Sequence, residues 1–174
     1  MATRTLSVLV EDKPGVLSRV AGLFSRRGFN IASLAVGPTE VAGLSRMTIV
    51  VDTGEDEIEQ VTKQLNKLVQ VLKISEFDAG EAVEREIQLI KVSTRGGVRG
   101  EVVEIAGIFR GAIVDVDVDS VTIEVTGSPD KLEAMVGLLE PYGILEIVRS
   151  GLIAVARGAQ SLTEGRGLQL ERSA

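Results

Sequence analysis

From Thr5 to Glu11 apolar and polar residues alternate, Leu6, Val8 and Val10 against Ser7 and Glu11, with Leu9 as an apolar residue on the outer face. A period of two predicts a strand with one buried face. The period then lengthens: Val16, Leu17, Val20, Leu23 and Phe24 recur at helical spacing, with Ser18, Arg19, Gly22, Ser25 and Arg26 on the other side. That is a core-facing amphipathic helix, and Gly28 stands where a helix C-terminus wants glycine. Asn30 to Val36 predicts a second strand, Gly37-Pro38-Thr39-Glu40 with Gly43 a loop, and Leu44 to Asp52 a third strand with Met47, Ile49 and Val51 on one face. The acidic stretch Gly54-Glu55-Asp56-Glu57 suits the positive end of a helix dipole. Ile58, Val61, Leu65 and Leu68 then mark the buried side of that helix, and Val71 to Phe77 predicts a fourth strand. The order is βαββαβ.

Asp78-Ala79-Gly80-Glu81-Ala82 is a polar joint, after which the same order recurs. Glu86 to Ser93 predicts a strand, Thr94 to Gly100 a flexible loop, and Glu101 to Phe109 a helix with Val102, Ile105, Ala106 and Phe109 on one face. Ala112 to Asp117 and Ser120 to Gly127 read as a hairpin about Val118-Asp119. Ser128-Pro129-Asp130 combines an N-cap residue, a first-turn proline and an early acid. The helix it opens carries Leu132, Met135, Val136 and Leu139 and stops at Pro141; Ile144 to Arg149 and Gly151 to Arg157 give one or two closing strands. The fold class is therefore α+β, two tandem ferredoxin-like βαββαβ sandwiches, with domains at 1–78 and 83–158 and a flexible tail at 159–174. Such a sandwich carries helices on one sheet face only. The outer face, read as including Leu9, Leu34, Val36 and Val50, is apolar for open solvent, so a homodimer is expected to cover it.

Composition narrows the chemistry. Among 174 residues there is no Cys and no His, which removes thiol and imidazole catalysis, disulfides and most zinc or copper sites. A net charge of −6 and only five aromatic rings argue against nucleic acid as a partner. No apolar run reaches the length of a membrane helix, and the N-terminus has no signal-peptide core, so a cytoplasmic protein without a membrane partner is expected.

The stretch with the most chemical content is Asp12-Lys13-Pro14-Gly15 between the first strand and helix. Asp12 can turn its carboxylate onto main-chain N–H groups, and Pro14 presets φ for a helical turn. Gly15 leaves the helix entrance bare, so a carboxylate can approach free N–H groups at the positive end of the dipole. Asn30 offers both a donor and an acceptor at the start of the next strand. Together they suit a zwitterion such as a free amino acid, with a neighbouring copy's strand facing the loop. The plainer reading is a well-formed helix start and a turn asparagine. Asp115-Val-Asp-Val-Asp119 lacks the Gly and Glu a calcium loop needs, and Arg95 to Gly100 lacks a phosphate-loop ending. Arg26-Arg27 and Arg46 read as solvated charges or docking contacts. No catalytic or metal site is expected.

The segments LSVLVEDKPGVLSRVAGLFSRRGFNIASLAVGPTE, LSRMTIVV, KQLNKLVQVLKISE, VEREIQLIKV, IFRGAIVDV and SGLIAVARG span residues 5 to 158. They resemble the small regulatory subunit of acetolactate synthase (acetohydroxyacid synthase), whose N-terminal domain is an ACT domain. The resemblance implies that ACT domains pair as a homodimer and bind a branched-chain amino acid, usually valine, between them. The implied effector contacts are Asp12, Gly15, Val16 and Leu17 of one copy and Asn30, Ile31 and Ala32 of the other. Many members have Asn where this chain has Asp12; an acid there accepts from the ligand ammonium but cannot donate to its carboxylate. The resemblance further implies a separate large catalytic subunit holding thiamine diphosphate, Mg²⁺ and FAD, which the small subunit stimulates and places under feedback inhibition in valine, leucine and isoleucine biosynthesis. The rival expectations are a free-standing amino-acid sensor acting on another protein and a small enzyme of ferredoxin-like fold.

Overall fold

A computed structural model describes residues 2–78 and 80–163. It divides into two compact units, one running to Val83 and resuming at Leu152, the other comprising Glu84–Gly151.

In the first unit β1 (Ala2–Glu11), β2 (Ile31–Pro38), β3 (Leu44–Thr53) and β4 (Val71–Phe77) form a sheet in the order β2-β3-β1-β4. Helices α1 (Val16–Arg26) and α2 (Glu55–Leu65) lie on one face of it. The period-two reading of β1 fixes that face. Leu6 pairs with Ile49 and Val8 with Met47, and these four pack with Val16, Val20, Leu23 and Phe24 of α1 and Ile58, Val61 and Leu65 of α2. Gly28 ends α1 at φ +75, where its N–H donates to the Ser25 carbonyl and that of Phe29 to the Phe24 carbonyl. This pair of bonds satisfies carbonyls the helix leaves over and tucks Phe29 against the core.

The opposite face corrects the expectation that a second copy must cover it. Leu9 and Ser7 are 0% exposed and Val50 7% within the single chain. The chain's own return segment, Leu152 onward, lies there. Leu152 N–H donates to the Ser33 hydroxyl at 2.8 Å, Lys73 donates to the Ser161 carbonyl at 3.4 Å, and Thr163 donates to Glu40 at 2.6 Å. Ala154 of β9 (Ile153–Ala156) packs with Phe77, and Leu162 is buried. Residues 159–163 of the expected flexible tail are thus tied to the first unit, and residues 164–174 lie outside the described residues. Leu34 and Val36 do not belong to this face at all. A bulge between Ile31 and Ser33 shifts the register, so Leu34 pairs with Ile49, Val36 with Met47, and Leu34 joins the helix-side core. Arg46 is likewise not a solvated charge: it pairs with Leu9 on the covered face, half-buried.

The return segment makes one end of the first unit pH-sensitive. The Thr163 hydroxyl, with Glu40's own N–H and the Arg46 charge adding to the effect, holds the Glu40 carboxyl below its ordinary range. A depressed folded pKa contributes stability above the unfolded value, about 4.3, and loses it as pH falls through the folded value. Glu40→Gln is therefore expected to flatten the acid limb of the first unit's melting temperature against pH. An acid limb identical to the parent's contradicts the role of this contact.

The second unit repeats the topology. Strands β5 (Ala82–Ser93), β6 (Ala112–Val116), β7 (Ser120–Gly127) and β8 (Ile144–Arg149) are ordered β6-β7-β5-β8, and β9 pairs with β5. Ile90, Val92, Val121, Ile123 and Val125 meet Val102 and Ala106 of α3 (Arg99–Ile108) and Leu132, Met135 and Leu139 of α4 (Pro129–Leu139). The loop expected to be flexible from Thr94 to Gly100 holds a short 3₁₀ turn, and α3 starts inside it. Arg99 donates to the carbonyls of Asp117 and Val118, and Arg95 pairs with Asp119 at 3.4 Å, so the loop is tied to the β6–β7 turn.

Candidate functional site

At the end of β1 the backbone turns sharply into α1. Asp12 N–H donates to the Gly43 carbonyl at 2.8 Å, which sets the turn against the β2–β3 loop, and Lys13 N–H donates back to the Glu11 carbonyl. Gly15 is the N-cap residue of α1 at φ +83, a conformation that glycine adopts without penalty. A Cβ there would meet no atom within 4 Å, so the space before the helix is open. No side chain caps α1, and its first turn has no acid. This corrects the reading of Asp12 as a cap. The consequence favours a ligand: Val16 N–H donates to the Lys13 carbonyl at 3.4 Å, but the N–H groups of Leu17 and Ser18 remain available to an outside acceptor, with the positive end of the dipole behind them.

The remaining candidates sort by position. Val16 is buried in the core and its N–H donates to the Lys13 carbonyl, so its side chain is committed to packing and its N–H to the turn. Leu17 is 43% exposed beside the entrance. Asn30 is exposed between the C-terminal turn of α1 and the start of β2; Ile31 is half-buried opposite Val51, and Ala32 is exposed at the bulge. Gly15 and Asn30 therefore flank opposite ends of an eleven-residue helix. At 1.5 Å per residue that is about 16 Å, far beyond the span of a free amino acid. Within one chain the two halves of the proposed receptor are not brought together.

β2 lies at the open edge of its sheet, its other neighbour being β3. β2 runs parallel to β1, both being antiparallel to β3, so its last residues lie at the same end of the sheet as Gly15. If β2 pairs antiparallel with β2 of a second copy, the start of one strand, with Asn30, meets the end of the other, where that copy's Gly43 and Asp12 are hydrogen-bonded. Gly43, expected only as a loop residue, is part of this arrangement at φ +81. Among the described residues no group of three or more carboxylates could hold a metal ion, and no helix is long and apolar enough to cross a membrane.

Comparison with known proteins gives the family. Residues 6–73 match the family model described as AHAS small subunit-like ACT domain, and residues 85–158 match that described as small subunit of acetolactate synthase. The chain is 57% identical over 160 residues to the acetolactate synthase small subunit of Mycolicibacterium smegmatis, covering 92% of this chain and 94% of that one. It is 53% identical over 162 residues to the same subunit of Mycobacterium leprae, covering 93% and 96%. The crystal structure of the small subunit from Thermotoga maritima superposes with a TM-score of 0.82 at 42% identity, over 92% of this chain and all of that one. The chain belongs to the family of acetolactate synthase small subunits.

Proposed function

We propose that this regulatory subunit binds a branched-chain amino acid, valine foremost, at a site shared by two copies, and that occupancy sets the activity of the catalytic subunit it stimulates. The observation that carries this reading is the pairing of an uncapped helix entrance at Gly15 with an exposed Asn30 at the far end of the same helix, on a strand with an open edge. The ligand carboxylate would sit against the Leu17 and Ser18 N–H groups in the first turn of α1, and Asp12 would accept from its ammonium. The Asn30 amide of the second copy would complete the hydrogen bonds. The branched side chain would lie against exposed Leu17. The partner large subunit would carry thiamine diphosphate, Mg²⁺ and FAD and the whole of the chemistry, in the cytoplasm.

Feedback follows if the amino acid binds the inhibiting arrangement of the assembly more tightly than the activating one. A coupling of about 1–3 kcal/mol suffices. Calorimetry of the chain against valine, leucine and isoleucine tests the ligand directly. Asn30→Ala should weaken binding by about 1.5–3 kcal/mol, the worth of a hydrogen bond to a charged group. Unchanged affinity removes Asn30 from the site. A free-standing sensor would be recognised by its failure to co-purify with a thiamine-dependent synthase.

A further inference from the structure

We propose that the second unit carries a separate binding site for a phosphate-bearing anion, in the cavity between the start of α4 and the α3–β6 connection. The cavity measures about 410 Å³. Three cations line it from three different elements: Arg85 on β5, Arg110 in the α3–β6 connection and Lys131 in the first turn of α4. Strand register explains the convergence. Glu86 lies opposite Gly127, and Ala112 opposite Glu124, so both strands flanking β7 deliver their cation to the end of β7 at which α4 begins.

These charges are not matched from within the unit. Glu124 is the one carboxylate lining the cavity. None of the three cations forms an ion pair among the described residues. Arg85 donates to the neighbouring Glu84 carbonyl at 2.7 Å and Lys131 to the Thr126 carbonyl at 2.9 Å, leaving their charge unneutralised. In a chain of net charge −6 this is a local excess of positive charge. Arg85 and Arg110 are exposed and Lys131 half-buried, so water screens their mutual repulsion, and an anion held among them would gain from all three.

The backbone at Arg110 adds an independent observation. Arg110, at φ +59, is the one non-glycine residue in the left-handed region among the described residues. A glycine would take that conformation freely, whereas an arginine is strained there. The next residue, Gly111, cannot carry a side chain without rearrangement: a Cβ would lie 3.0 Å from the Ile123 methyl and 3.3 Å from two carbonyl oxygens. The connection is thus pressed against β7 and presents Arg110 to the cavity from a strained backbone. Strain of this kind persists where surrounding structure holds it, and it gathers at functional sites. Ser128, the N-cap residue of α4, also lines the cavity and makes no capping hydrogen bond, so its hydroxyl is free beside the positive end of the helix. Asp130 lies in the same turn but does not line the cavity.

Two guanidinium forks and an ammonium suit a tetrahedral dianion with several acceptor oxygens better than a planar carboxylate with two. The volume exceeds what inorganic phosphate needs, which points to a small phosphate monoester. The experiment is a titration of the full chain, at constant ionic strength, with inorganic phosphate, glycerol 3-phosphate and chloride, followed by amide NMR. Saturable shifts confined to residues 84–86, 110–112 and 124–131 are expected with both phosphates and absent with chloride. Tighter binding of the ester supports the monoester, and equal or tighter binding of inorganic phosphate supports free phosphate as the occupant. Arg110→Gly removes the cation and the strained conformation together. It should weaken phosphate binding roughly tenfold or more while the melting temperature stays level or rises. Glu124→Gln should tighten binding by removing the repelling carboxylate. Phosphate affinity undiminished in Arg110→Gly, or shifts reproduced by chloride, overturns the proposal.

Discussion

Gly15→Asp is expected to abolish valine binding while leaving stimulation of the catalytic subunit in place. Two effects add. The new carboxylate would stand where the ligand carboxylate is proposed to bind, and like charges brought together at a desolvated contact cost several kcal/mol, a loss of about a hundredfold or more in affinity. Gly15 also holds φ +83, a conformation that costs most other residues about 1–2 kcal/mol and Asp and Asn less, so a smaller backbone penalty adds to the charge effect. Gly15→Asn separates the two contributions. Asparagine tolerates the left-handed region and carries no charge, and the open space before Gly15 accommodates its Cβ. The asparagine variant should keep measurable binding at concentrations where the aspartate variant shows none. Feedback titration of the assembled enzyme and calorimetry of the chain read the two effects together. Equal affinity of the aspartate variant and the parent places the ligand elsewhere.

The second large effect concerns stability. Ending the chain after Gly151 removes the segment that covers the outer face of the first sheet, and with it buried Leu152, Ala154 and Leu162. Burial of two leucine side chains alone is worth about 3–6 kcal/mol, comparable with the whole net stability of a small domain. Leu9, Val50 and Phe77, now on or beside the covered face, would be left to solvent. The truncated chain is therefore expected to lose the cooperative transition of the first unit, or to show it many degrees lower, and to self-associate. The transition of the second unit, whose core is made within Glu84–Gly151, should survive. Differential scanning calorimetry checks this. A truncated chain whose first unit melts unchanged would show that the return segment contributes nothing to stability.

What could be read from residues alone followed the strength of the local pattern. Of Val16, Leu17, Val20, Leu23 and Phe24, all expected on one helix face, four are buried and Leu17, at the edge of the stripe, is 43% exposed. Gly28 was marked as the helix stop, and its positive φ is the reason. The repeated βαββαβ order is legible because the central strands and the helices that build the two cores carry a clear apolar period. Two things were not. Alternation along β2 breaks at the bulge after Ile31, and one extra residue flips everything beyond it, so Leu34 and Val36 were placed on the wrong face. The return segment was missed because its apolar residues are few and widely spaced, and because their partners are more than seventy residues away in sequence. The clue was present in Leu9 and Val50, apolar residues on a face that needed a cover. For that face the chain supplies its own cover.

For the candidate site, the motif located the turn but not its geometry. The tetrapeptide suggested that Asp12 caps the helix, whereas the main chain of Asp12 is engaged with Gly43 and the helix entrance stays open. That engagement depends on a loop about thirty residues later in sequence, which no local pattern contains. The separation of Gly15 from Asn30 along α1, by contrast, follows from helix length alone and requires that a joint site be built from two copies.

Mixing two defective chains tests that requirement most directly. At a concentration that just saturates the parent, a Gly15→Asp chain is expected to bind no valine and an Asn30→Ala chain to bind it about ten- to a hundredfold more weakly. Unfolded and refolded together, they would form mixed dimers in which one site joins the intact Gly15 of one chain to the intact Asn30 of the other. Random pairing then restores valine binding at about a quarter of all sites. Calorimetry that shows this partial recovery supports a ligand held between two copies. Tight binding that stays absent in the refolded mixture, with mixed dimers demonstrably present, contradicts it.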